Sequence, residues 1–464
     1  LGTSDPKLRF EIEKQSFQTC GPKQSLGPSE ENMSHALHIQ SNVSIRRGQV
    51  RRRDFLRAIP AAAAAAGMVG WQDAMIASAE DLRRSGKACI LLYMQGGPSQ
   101  FETFDPKPGH ANGGETKAIA TSVPGIEIAD NLPLTAKAME HICLIRSMTS
   151  REGAHPRATY LMHTGYLPTA TVKYPTLGSI VASELGDKTS ELPSFVRIGG
   201  RGLGGDGAGL LGVDYDPLNM QSASRPPENT TLTTPEPRYK RRLNLLTRLE
   251  ADYANQGGKQ EVADHQKIYA QAAKMITSPK MAAFSIDKEP AKIREAYGNG
   301  QFGQGCLLAR RLIESGVTFV EVGLGNWDTH QDNFERSKTL CGQLDQPLAA
   351  LIADLKDRGM LESTLILWTG EFGRTPRINP NTGRDHYPRA FSAFLAGGGV
   401  KGGQVIGGTS AGGDAPTGRT VSVNDLLRTV CTSLNINPDK ENMSGIGRPI
   451  KIVDGGKVVE EVFG

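Results

Sequence analysis

Three observations make this 464-residue sequence an α/β protein, a mostly parallel sheet with helices on both faces. Short apolar runs of strand length alternate with helix-period segments from about residue 87 to the end. Several of these runs stop at glycine and then present an acid or an imidazole, as buried parallel strands do at the rim of a sheet. Three such endings fall in the second half: Phe319-Val-Glu-Val-Gly-Leu-Gly-Asn-Trp-Asp328-Thr-His330-Gln-Asp332, then Leu365-Ile-Leu-Trp-Thr-Gly-Glu371, then Arg384-Asp385-His386 just ahead of the apolar run 390–396. Together they suggest one site.

A hydrophobic content of 38% is adequate for a sizeable core. The net charge of +4 is too small to call for nucleic acid, and much of the basic excess sits early, in Arg46, Arg47, Arg51, Arg52, Arg53 and Arg57. That cluster precedes Ile59-Pro60, six alanines and the small residues Ala77-Ser78-Ala79, and it resembles a twin-arginine export signal cleaved after about Ala79. The expected organisation is a disordered extension over residues 1–45, a signal over 46–79 and a single domain over 80–464. Met33 is a candidate true start, which would make the residues before it a start-site artefact. The apolar stretch is too short and too alanine-rich for a good membrane span, so the expected address is periplasmic or extracellular, reached through the twin-arginine export machinery. The six cysteines are widely spaced with no Cys-x-x-Cys pair, which predicts buried free thiols.

The elements follow in order. Residues 87–94 read as a fully buried strand broken by Gln95-Gly96-Gly97-Pro98-Ser99, and Glu102 and Asp105 follow in a proline-bounded loop. A helix near 134–140 leads to a short strand at 142–146, and a polar loop then runs into a helix that stops at Gly165. Residues 176–185 are predicted helical and 194–198 a strand. An irregular and then helical excursion covers about 199–315, with charged helices at 241–253 and 262–276. The strand at 319 comes next, followed by a helix over 343–358 with Leu344, Leu348, Leu351 and Leu355 on one face. Strands at 364–369 and 391–396, a helix at 423–434 and a last short strand at 449–453 complete the chain.

The chemistry lies in the strand endings. Asp328, His330 and Asp332 have the oxygen and imidazole character that suits a divalent ion, and His386 with Asp385 or Glu371 would complete a ligand set from neighbouring strand ends. Such an ion polarises a phosphoryl or sulfuryl oxygen or acidifies water. Arg146, Arg157, Arg374 and Arg384 are available to hold an oxyanion, and the last two flank the metal candidates. Their bland role is a salt bridge to the nearby acids.

The order of Gly96-Gly-Pro-Ser99, Thr103-Phe-Asp-Pro-Lys-Pro108, Thr164-Gly-Tyr-x-Pro168, Trp327-Asp-Thr-His330, Gly370-Glu-Phe-Gly-Arg-Thr-Pro376 and Asp385-His-Tyr-Pro388 resembles the bacterial exported family called domain of unknown function 1501. The likeness covers about residues 85–463 and implies an alkaline phosphatase-like three-layer sandwich, the fold of phosphatases, sulfatases and phosphodiesterases. Counting back from Thr164-Gly165, the nucleophile position of that superfamily falls on His155, where Ser, Thr or a modified Cys is usual; Thr149 and Ser150 lie nearby. Gln95 stands where the first-strand acid is expected, leaving Glu102 as a displaced candidate, and Glu371-Phe372 replaces an Asp-His pair.

The resulting expectation is an exported metal-dependent hydrolase of phosphate or sulfate esters. Asp328, His330, Glu371, His386 and Glu102 are its metal candidates, the ion being Zn, Mn, Mg or Ca, while His155, Arg374 and Arg384 are its catalytic candidates. The expected substrate is an anionic ester, such as a sulfated or phosphorylated glycan. The alternative is a catalytically inactive exported protein that binds an anionic glycan or envelope partner through the same cleft.

Overall fold

The computed structural model describes residues 86–199 and 207–464, so the extension and the export signal expected before residue 80 lie outside the described residues. Among the described residues, nine strands form the main sheet: β1 (Ala88–Met94), β2 (Ile142–Thr149), β3 (Phe195–Ile198), β4 (Leu218–Met220), β5 (Phe319–Leu324), β6 (Thr364–Thr369), β7 (Phe391–Gly397), β8 (Gln404–Ile406) and β9 (Val421–Ser422). Their spatial order is β8-β2-β7-β6-β1-β5-β3-β4, with β9 pairing β2. β1 sits centrally and parallel to both β5 and β6, which fits its unbroken apolar sequence. Among the described strands of this sheet, β7 alone runs against its neighbours.

The helices are α1 (Pro133–Lys137), α2 (His155–Thr164), α3 (Leu177–Leu185), α4 (Glu236–Asn255), α5 (Lys259–Thr277), α6 (Ala291–Tyr297), α7 (Gln301–Glu314), α8 (Asn333–Asp357) and α9 (Val423–Ser433). Because strand side chains alternate, β1 sends Ile90, Leu92 and Met94 into one core and Cys89, Leu91 and Tyr93 into the other. The first core is closed by α7 and α8, through residues such as Leu308, Leu344 and Leu351. The second is closed by α2, α3 and α9, through Leu161, Ile180 and Leu427. Two buried cores around one sheet make a three-layer α/β sandwich, as the alternation of elements predicted.

Two expectations need correcting. Helix α8 starts at Asn333, ten residues before the predicted start; its first turns are polar and its interior holds Pro347, yet Leu340 and Cys341 are buried and join its apolar face. The excursion after residue 199 returns to the sheet as β4, which lies parallel to β3. The predicted last strand is present as Pro449–Lys451, but it pairs antiparallel with Glu441–Met443 in a small hairpin off the main sheet. The five cysteines among the described residues are buried and free.

Candidate metal centre

The site is built at the carboxyl edge of the parallel strands. Pairing continues past the ends of β1 and β5, since Gln95 N–H donates to the Leu324 carbonyl at 3.0 Å and Trp327 N–H to that of Gln95 at 3.2 Å. The two loops therefore run together. Gly96 permits this: its φ is +112°, and a Cβ there would stand 2.5 Å from the Asp328 nitrogen. Asp328 is thus delivered to the rim directly beside the β1 loop.

The other side chains arrive from three directions. His155 is the first residue of α2, followed by Pro156, whose fixed φ and missing N–H suit a first turn. Glu371 follows β6 and is fully buried. His386 enters ahead of β7, held opposite Arg374 in a two-residue antiparallel ladder of Gly373–Arg374 with His386–Tyr387. Because β7 is antiparallel, its start lies at the same edge as the ends of β1, β5 and β6. His330 is carried by the loop after Asp328, where Gly383 packs so closely that a Cβ would lie 1.9 Å from the His330 carbonyl oxygen.

The outcome is a cluster focused on one oxygen. His330 Nε2 is 3.1 Å, His386 Nε2 3.3 Å and His155 Nε2 3.5 Å from Asp328 Oδ1, and the His330 and His386 Nε2 atoms are 3.0 Å apart. The ligand atoms of His155, Asp328 and His386 all lie within 4.8 Å of one another. Each imidazole has its far nitrogen engaged by an acceptor. His155 Nδ1 faces Glu371 Oε1 at 2.6 Å, His330 Nδ1 faces Asp385 Oδ1 at 2.8 Å, and His386 Nδ1 faces the Gly153 carbonyl at 2.8 Å. In the neutral rings these contacts put the proton on Nδ1 and leave a lone pair on Nε2. Three lone pairs then converge on a carboxylate oxygen. The buried His155 Nε2 has no hydrogen-bond partner. The nitrogen and oxygen donors of His155, Asp328 and His386 could hold a divalent ion such as Zn²⁺.

Electrostatics follow from these neighbours. The contact with Glu371 outweighs burial and raises the pKa of His155. Burial instead leads at His386 and lowers it. Burial alone would raise Asp328, but Arg374, His155 and His330 hold it down to about 2.

Several predicted residues take other places. Glu371, expected as a ligand, stands behind His155 and accepts from His155, from the Gly96 N–H at 2.9 Å and from the Tyr93 hydroxyl at 3.2 Å. Arg374, expected at an oxyanion, is buried and spends its donors on Asp328 at 2.6 Å and on the carbonyls of Gly97, Arg384, Gly96 and Trp327. Arg384 and Glu102 form a fully buried ion pair at 2.9 Å; the arginine also donates to the carbonyls of Asn112, Thr375 and Pro376 and lies over the Phe101 ring. The structure therefore does not gather Glu102 or Arg384 into the cluster, because they pair with each other and the arginine's other donors go to backbone carbonyls. Asp332 is the residue before α8, in a left-handed conformation. Tyr93 and Gly153 were missed: a tyrosine near the end of an apolar strand was the only signal for the first, and a backbone carbonyl leaves none.

Comparison with known proteins adds the following. No curated protein sequence matches. Among solved structures, the chain is similar to the PsFucS1 sulfatase from Pseudoalteromonas sp., at 13% identity over 77% of this chain and 72% of that one, with a TM-score of 0.35. It is also similar to the lipoteichoic acid synthase LtaP from Listeria monocytogenes, at 9% identity over 81% and 80%, with a TM-score of 0.35. A third is the phosphonate monoester hydrolase of Agrobacterium radiobacter, at 13% identity over 81% and 77%, with a TM-score of 0.31. Residues 86–463, most of the chain, match the family described as Protein of unknown function (DUF1501), and the chain belongs to that family.

Proposed function

We propose that this chain is an exported, metal-dependent hydrolase of phosphate or sulfate esters, whose divalent ion is held by His155, Asp328 and His386 with His330 beside them. The observation that carries the reading is the convergence of three Nε2 lone pairs on Asp328 Oδ1, each ring anchored from behind by a carboxylate or carbonyl. A bound divalent ion supplies Lewis-acid polarisation of an ester oxygen and acidifies water. The protein's own residues do the rest. Glu371 is a positioning residue that keeps the proton on His155 Nδ1, and Arg374 holds Asp328 ionised and in place. The start of α2 lies at this edge, where a helix N-terminus suits an anionic substrate such as a phosphorylated or sulfated glycan. The export signal read at residues 46–79 makes the periplasm or the exterior the proposed location.

One observation favours a second reading. His155 stands at the helix start where the resembled superfamily carries a hydroxyl or thiol, and the cluster of histidines and Asp328 supplies neither. An exported protein that binds an anionic glycan without turnover would need no nucleophile.

Metal content by mass spectrometry, on protein purified without added metal, tests the reading. Near-stoichiometric metal in wild type and its loss in a His155→Ala/His386→Ala variant is the expected result, followed by turnover of aryl phosphate or aryl sulfate esters. Absence of metal in wild type, even after incubation with Zn²⁺, Mn²⁺, Mg²⁺ and Ca²⁺, would overturn it. Metal and anion binding with no turnover would favour the binding protein.

A further inference from the structure

Helix α4 has no buried residue over its 20 positions, although it is one of the longest helices described. One side faces α5, marked by Glu250, which accepts from Gln266 at 3.3 Å and meets His265. Another side carries Leu245, Leu249 and Tyr253, which are 56%, 67% and 58% exposed. Spaced four residues apart, they form one stripe along the helix. The hairpin of α4 and α5 holds five of the eight exposed large hydrophobic side chains among the described residues, so the exposed apolar surface is concentrated here rather than scattered. Arg238, Arg241 and Arg242 lie on the same face toward the start of the helix, and Asp252 toward its end, all exposed.

We propose that this stripe is the contact face of a symmetric dimer, in which α4 packs antiparallel against α4 of a second copy about a two-fold axis at Thr247. A contact of this kind pairs positions equidistant from the axis. Leu245 meets the partner's Leu249, and Leu249 meets the partner's Leu245. Arg242 faces the partner's Asp252, and Arg241 lies against the ring of the partner's Tyr253, an ion pair and a cation–π pair, each made twice. Arg248 falls opposite the partner's Leu246, so the register sets no like charges against each other. A parallel two-fold pairing would stack each arginine on its own copy. Antiparallel helices also oppose their dipoles favourably. Charge argues against an anionic bilayer as the occupant, because Asp252 shares the stripe and neither Trp nor Phe is on it.

Sedimentation velocity on the full chain tests the register. Wild type is expected at twice the chain mass, and Leu249→Glu at the chain mass with an unchanged far-UV circular dichroism spectrum, since that side chain is exposed in the single chain. Asp252→Arg is expected to weaken association about tenfold, and adding Arg242→Asp to restore it. A monomeric wild type, a dimer indifferent to Leu249→Glu, or a double variant no tighter than Asp252→Arg would each overturn the proposal. Wild type that is monomeric and floats with phosphatidylglycerol vesicles would assign the stripe to a membrane. Monomeric wild type in which a photo-cross-linker at residue 249 joins the chain to itself would assign it to a segment of the same chain.

Discussion

At the scale of single residues, His155 shows how a neighbour decides what a side chain can do. Its Nδ1 is held by a buried carboxylate, so its Nε2 is left facing Asp328. Glu371→Gln removes the charge and keeps the shape. In the metal-free protein the raised pKa of His155 is then expected to fall, since burial alone pushes it down, and NMR titration of that ring reads the change. An unchanged titration would mean that Glu371 does not control the ring. The Glu102–Arg384 pair makes a different prediction: Arg384→Met leaves a fully buried carboxylate unpaired and should cost about 3–5 kcal/mol in denaturant unfolding. The sequence offered Asp328 and His330 directly, because strand, glycine and ligand follow one another in the chain, and His386 as an imidazole just ahead of an apolar run. It offered His155 only through the register of the Thr164-Gly165 motif. The true place of Glu371 was illegible, because what a carboxylate binds depends on Gly96 and Tyr93, 275 and 278 residues away.

At the scale of elements, the direction of β7 brings His386 to the site. A parallel connection from β6 would need a crossover of a dozen or more residues, usually a helix, and residues 370–390 contain none. That absence was readable, but in a chain that otherwise alternates strand and helix it was overshadowed by the parallel pattern. The same segment folds back on His330 through Gly383. Gly383→Ala places a Cβ 1.9 Å from a backbone carbonyl oxygen, so the loop must shift. Because the change sits at the sheet's edge, the melting temperature should stay close to wild type while metal affinity, by competition with a chromogenic chelator, falls about tenfold or more. Full affinity would mean that the loop does not position His330. Helix α9 carries a complete capping box between Ser422 and Asp425, and Ser422→Ala should destabilise the protein by about 1 kcal/mol, read as a shift in urea midpoint.

At the scale of the whole molecule, α7 and α8 are joined by charge as well as by apolar packing. The buried Arg310 bridges Asp354 at 2.8 Å, Glu289 at 2.9 Å and Glu314 at 2.7 Å. Burial alone would raise Glu289, yet Arg310 and Arg311 hold it below its ordinary range, and Arg358 and Arg310 do the same for Asp354. Carboxyls depressed in the folded state bind fewer protons than in the unfolded chain. Their contribution is therefore complete above the ordinary values of 4.5 and 3.8 and is lost as pH falls through the folded ones. The urea midpoint should drop as pH is lowered from about 5 to about 3, and Arg310→Met should flatten that dependence.

The histidine cluster also has a history within each molecule. His155, Asp328 and His386 come from three stretches far apart in the chain, and His386 stands just ahead of β7, which lies between β2 and β6. A chain emerging from the ribosome therefore has no part of the pocket in working order until nearly all of it has been made. Contacts of such long range cost loop-closure entropy and slow folding. An ion that binds there would report the end of folding, arriving after the protein is assembled and leaving when the sheet comes apart.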